Sequence, residues 1–105
     1  MSEPEGPAGG PPRFAILSSP RFERDFRALA KRHAQLLSLR EQLLTILRTD
    51  PANRSRRHDI VKLQDVKPGE GQYRLRLRRF RFRYDLARGT VRLHTCSLRR
   101  EDSYR

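Results

Sequence analysis

Cysteine is nearly missing from this chain: Cys96 stands alone among 105 residues. A single thiol excludes an intrachain disulfide and a stapled secreted scaffold, so a reducing, cytoplasmic setting is expected. It also excludes a cysteine-built metal cluster, and no metal or cofactor is expected. No apolar run approaches the ~18 residues of a membrane span, so no membrane partner is expected. Acid is scarce, with 12 Asp and Glu against 24 Lys and Arg, and lysine supplies only three of those 24 cations. Residues 1–12 contain no large apolar side chain beyond Met1, yet hold four of the 7 prolines and three of the 6 glycines. Such a segment buries too little surface to offset its ordering entropy, and is expected to be a disordered tail. Being acidic and turn-rich, it does not read as a signal peptide.

What is present is positive charge. The net charge is +12, and since Glu3 and Glu5 are the charged side chains of the first twelve residues, residues 13–105 carry +14. Self-repulsion on that scale is tolerated where a polyanion neutralises it, which points to nucleic acid or an acidic protein. The remaining length suits one domain, 13–105, with one modest core.

Arg13-Phe14-Ala15-Ile16-Leu17 reads as a first strand, and Ser19-Pro20 as the N-cap and first residue of a helix. Phe22, Phe26, Leu29 and Ala30 recur at helical spacing along one face. Leu36, Leu39, Leu43, Leu44, Ile46 and Leu47 do so again, with Asp50-Pro51 as the stop. No Gly or Pro separates the two stretches; Ser38 with Glu41 has capping-box spacing, so a helical hairpin restarting there is expected over one long helix. A short extended piece at residues 60–63 and a turn at residues 67–71 follow.

From Tyr73 to Tyr84 apolar residues alternate with Arg, and the alternation changes phase at Arg78-Arg79. A two-residue turn there pairs Leu77 with Phe80, Leu75 with Phe82 and Tyr73 with Tyr84, placing every apolar residue on one face. The other face then holds Arg74, Arg76, Arg81 and Arg83, with Arg76 opposite Arg81 and Arg74 opposite Arg83. Facing like charges repel, and a polyanion on that face removes the conflict. Arg-Arg is a poor turn, because tight hairpins require positive φ. A further strand from Val91 to Cys96 is expected to pair Leu86 with Val91, Tyr84 with Leu93 and Phe82 with Thr95. That register sets His94 opposite Arg83, Cys96 opposite Arg81 and Arg92 opposite Asp85. The fold class is accordingly α+β: an N-terminal strand and a helical hairpin packed on a small antiparallel sheet.

The order of strand, two helices, Tyr-Arg-Leu-Arg-Leu-x-x-Phe-Arg-Phe-x-Tyr and a final Arg-Arg-x-x-x-Tyr resembles the RelE/ParE toxin superfamily over residues 14–105. The resemblance implies a toxin of a type II toxin–antitoxin system, restrained by a cognate antitoxin with an acidic or amphipathic segment. The RelE branch cleaves messenger RNA, generally in the ribosome and without metal; the ParE branch poisons DNA gyrase instead. In the first branch Arg74 and Arg76 match residues on the RNA backbone, and Arg83 and Arg100 extend that surface. Arg81 matches the holder of the reacting phosphate, and Arg99 or Arg100 with Tyr104 the C-terminal catalytic group. Arg78-Arg79 departs from the usual glycine-containing turn, and Arg replaces the Lys that several RelE-type nucleases carry at 74 and 76. Arginine stays protonated and cannot be a general base, which leaves His94, Tyr104, Glu101 and Asp102 for proton transfer. A non-catalytic nucleic-acid binder is the third reading of the same surface.

Overall fold

The computed structural model describes residues 13–98, and the expected tail at residues 1–12 lies outside them. The element order is β1 (Ala15–Ser18), α1 (Pro20–Arg32), α2 (Gln35–Thr49), β2 (Ile60–Lys62), β3 (Tyr73–Leu77), β4 (Phe80–Ala87) and β5 (Thr90–Leu98). The class is α+β, but the sheet is mixed, not antiparallel. Its order is β1-β5-β4-β3-β2, and β1 lies parallel to β5 at the edge. The two helices separate β1 from the hairpins, so its direction is not set by a tight turn. Among the described residues no helix is long and apolar enough to cross a membrane.

Helix α1 begins as its residues dictate: the Ser19 hydroxyl accepts from Phe22 N at 3.0 Å and Pro20 occupies the first turn. Helix α2 starts earlier than the Ser38 capping box suggests. The chain breaks at His33-Ala34, α2 opens at Gln35 without a side-chain cap, and Ser38 donates to Gln35 O at 2.7 Å. Leu36, two residues before Ser38, is wholly buried and already lies within the helix. Phe22, Phe26 and Leu29 from α1 and Leu36, Leu39, Leu43, Ile46 and Leu47 from α2 pack on one face of the sheet. There they meet Leu75, Leu77, Phe80, Phe82 and Tyr84.

Helix α2 ends at Asp50, which organises the following loop. Its carboxylate accepts from Arg54 N (2.7 Å), Ser55 N (3.2 Å) and the Ser55 hydroxyl (2.6 Å). Partial burial alone would raise the Asp50 pKa, but these bonds and nearby His58 hold it below the usual carboxylate range. Asn53 clips the loop by exchanging bonds with the His58 backbone at 2.9 and 3.1 Å, which delivers Asp59 to the start of β2. The Tyr84 hydroxyl reaches out of the core and donates to Pro51 O at 2.6 Å, anchoring the loop to the central strand.

Replacing Tyr84 by Phe leaves the buried Pro51 carbonyl without this donor, and is expected to cost about 1–2 kcal/mol in urea unfolding. Burial, with Tyr73 and Asp50 adding to it, pushes the Tyr84 hydroxyl well above its ordinary 10.0. Burial, then Asp25, pushes the Cys96 thiol from 9.0 up to about 12. Both groups stay protonated in the folded chain at pH values where the unfolded chain releases protons. Their contribution is therefore full below pH 9.0 and lost as pH rises from there. Unfolding free energy measured from pH 8 to 11 is expected to fall over that range, and Tyr84→Phe to flatten the part above pH 10.0.

Candidate nucleic-acid interface

The helices cover one face of the sheet, and the arginines stand on the other. The hairpin register is the expected one: Leu77 pairs with Phe80, Arg76 with Arg81, Leu75 with Phe82, Arg74 with Arg83 and Tyr73 with Tyr84. Arg78 meets the turn's demand with φ 55, the left-handed region that glycine or asparagine usually fills. Arg78 and Arg79 are both exposed and extend the basic surface past the strand ends.

The β4–β5 register differs from the expected one. Leu86, Asp85 and Tyr84 pair with Val91, Arg92 and Leu93, but a bulge follows. Thr95, not His94, lies opposite Arg83; Cys96, not Thr95, opposite Phe82; and Ser97, not Cys96, opposite Arg81. Strict alternation would have turned Cys96 to the polar face. One extra residue resets the phase, so that Leu93, Cys96 and Leu98 all reach the core. Helix α1 secures the bulge: Ser19 N donates to Leu93 O at 3.0 Å, and the Ser19 hydroxyl donates to His94 O at 3.1 Å. Cys96 is buried with its thiol pushed up to about 12, which removes it as a nucleophile near neutral pH.

Each arginine of the face has a distinct environment. Arg74 Nη2 lies 3.1 Å from Asp59 Oδ1, and Arg76 Nε 3.3 Å from Asp59 Oδ2. Arg81 sits centrally and half-buried between Arg76 and Ser97. Arg83 donates to Glu70 O at 2.9 Å and to Gly71 O from Nε at 3.1 Å and Nη2 at 2.9 Å. Its guanidinium thus fastens the loop before β3. Asp85 holds the same loop by accepting from Gly71 N at 3.0 Å and Gln72 N at 3.1 Å. Gly71, at φ 83, lies so close that an added Cβ would stand 3.0 Å from Arg83 Cβ and 3.4 Å from His94 Cδ2. His94 therefore shares the arginine face, beside Arg83. It also borders a cleft of about 500 Å3 with Ser18, Gly69, Asp85 and Arg92.

The structure thus brings Arg74, Arg76, Arg81, Arg83 and His94 onto one surface. Tyr104, Arg99 and Arg100 lie outside the described residues, as do Glu101 and Asp102. Sequence reasoning passed over Asp59 and the loop-holding role of Asp85. Asp59 directly precedes β2 and Asp85 faces Arg92, but neither position shows which loop will fold against it. Among the described residues no group of three His, Cys, Asp or Glu side chains is placed to hold a metal ion. A separate cavity of about 880 Å3 lies between the α2 end and the β4–β5 turn, with Phe14, Ile46 and Leu86 in its lining and Arg54, Arg57 and Arg88 among its cations. Comparison with protein-family models, with curated proteins and with solved structures finds no match to this chain.

Gly71→Ala is expected to destabilise the protein by at least about 1–2 kcal/mol, since positive φ and the Arg83 contact both oppose a side chain there. Gly69→Ala has positive φ but open space around it. Thermal unfolding of the two variants should therefore rank Gly71→Ala as the more damaging.

Proposed function

We propose that this chain is a cytoplasmic toxin of the type II toxin–antitoxin kind: a RelE-like endoribonuclease that cleaves messenger RNA, in association with the ribosome, and arrests translation. The observation that carries the reading is the pairing of Arg74 with Arg83 and Arg76 with Arg81 on the sheet face opposite the helices. Four arginines at facing positions of one sheet face concentrate positive charge there, and a phosphate backbone is the kind of polyanion that relieves their mutual repulsion. The tyrosine and arginine spacing of the hairpin and C-terminal segment adds the resemblance to that superfamily.

In this reading Arg74, Arg76 and Arg81 neutralise phosphates, with Arg81 at the reacting one, and Arg83 holds the loop that walls the site. Cleavage proceeds by attack of the ribose 2′-oxygen on the adjacent phosphorus, breaking the bond to the 5′-oxygen. A base takes the 2′-hydroxyl proton and an acid returns one to the leaving oxygen. Arginine cannot take the first role but stabilises the charge that builds on phosphate. His94, whose imidazole can either accept or donate a proton and which stands next to Arg83, is suited to one of the proton transfers. Tyr104 with Arg99 is assigned the other, and Arg100 extends the RNA-binding surface. An antitoxin with an acidic or amphipathic segment is the restraining partner.

Expression in a bacterial host is expected to arrest growth and leave messages cut within codons, with cleavage unaffected by chelators. Arg81→Ala is expected to lower cleavage by about 100-fold or more while the chain remains folded. Arg88→Ala, in the exposed turn between β4 and β5, should stay toxic. Growth arrest, transcript-end mapping and thermal unfolding measured together check this. Intact messages under arrest overturn the nuclease reading, and trapped gyrase–DNA complexes would mark the ParE branch in its place.

A further inference from the structure

The arginine face carries a carboxylate of its own. Asp59 bridges Arg74 and Arg76, the two β3 arginines, each of which faces another arginine on β4. We propose that Asp59 is a placeholder for a backbone phosphate: it occupies the subsite between Arg74 and Arg76 that a phosphodiester of single-stranded RNA takes, and it must swing out when RNA binds. The proposal rests on the RNA-binding reading above and adds a subsite and a built-in competitor to it.

Three observations support the exchange. First, the arginines are set into the sheet and the acid is not: Asp59's side chain is 49% exposed, against 18% for Arg74 and 25% for Arg76. The more buried cations form the site, and the more exposed anion occupies it from the solvent side. Second, Asp59 fits imperfectly. Arg74 Nη2 donates a hydrogen bond to Oδ1, but the 3.3 Å approach of Arg76 Nε to Oδ2 misses hydrogen-bond geometry. The Arg74 Nε is likewise left without a hydrogen-bond partner among the described residues. A phosphodiester brings the same single charge with two unesterified oxygens on a larger tetrahedral centre, so once the carboxylate has left it can bridge the two guanidiniums with one oxygen toward each. Third, the Asp59 main chain is held without the carboxylate. Asp59 O accepts from Arg76 N at 2.9 Å, and the preceding loop is clipped by Asn53. Releasing the side chain therefore leaves β2 in place.

Because the exchange trades one anion for another, Asp59 lowers net affinity for RNA while relieving arginine repulsion in the unliganded protein. Fluorescence anisotropy with a short single-stranded RNA, titrated at several salt concentrations, reads this directly. Asp59→Asn is expected to bind about fivefold tighter than the parent at low salt. Its log–log salt dependence should steepen by at most about 0.7, because arginines without the carboxylate hold a solution anion that the same phosphate contact releases. Glu41→Gln removes the same charge from the exposed side of α2, and is expected to leave the slope unchanged. Asp59→Ala gives the same readout should the amide variant unfold early, and thermal unfolding identifies that case. RNA binding by the parent protein with no gain in Asp59→Asn, or with an equal gain in Glu41→Gln, overturns the placeholder and leaves the RNA-binding reading standing. No binding by any of the proteins at low salt overturns both.

Discussion

Leu77 and Phe80 face each other across a turn of two residues, and the placement of every other side chain in the β3–β4 hairpin is counted from that pair. The constraint is geometric: side chains alternate faces, so a shift of one residue in this register would exchange the apolar and arginine sets. With the observed register Leu75, Leu77, Phe80, Phe82 and Tyr84 close the core, each at most 9% exposed. The opposite face is committed to arginine by the same count. Core stability and cationic surface are thus one property of this hairpin, and the hydrophobic drive to bury five large side chains holds the like charges in their facing positions. Arg78, bent into positive φ, is a local cost of keeping the turn that short.

Around this hairpin the structure uses polar contacts to position what the register leaves open. Tyr84 sends its hydroxyl from the buried face to Pro51 O, Asp50 and Asn53 shape the loop that follows, and that loop ends at Asp59 beside Arg74 and Arg76. On the other flank, Arg83 and Asp85 grip the backbone of residues 70–72 from opposite charge states, one donating to carbonyls and one accepting from amides. The four arginines therefore divide their work. Arg83 is spent on the protein's own backbone, Arg74 and Arg76 share a carboxylate, and Arg81 stands at the centre of the surface. A surface that looks uniform in composition is differentiated by its second partners.

Much of this was legible from residue spacing. The one-face helices, the Ser19-Pro20 helix start and the hairpin register all follow from short-range alternation and capping chemistry, which act between residues close in the chain. The errors have equally definite causes. The bulge at His94 is held by Ser19, 75 residues away, and no local pattern announces it. Helix α2 begins at Gln35, ahead of the Ser38 capping signal, with buried Leu36 in its first turn, and the direction of β1 depends on where two helices return the chain.

What the sequence by itself determined is the division of the chain into an apolar set and an arginine set that a two-residue turn must separate, and hence a basic sheet face. The reason is that side-chain alternation is a local rule, enforced residue by residue. What only the tertiary structure decided is which arginines remain available to a ligand. Whether a guanidinium meets Asp59, as those of Arg74 and Arg76 do, or the carbonyls of Glu70 and Gly71, as that of Arg83 does, depends on loops arriving from elsewhere in the chain. Those arrivals are set by the packing of the whole core.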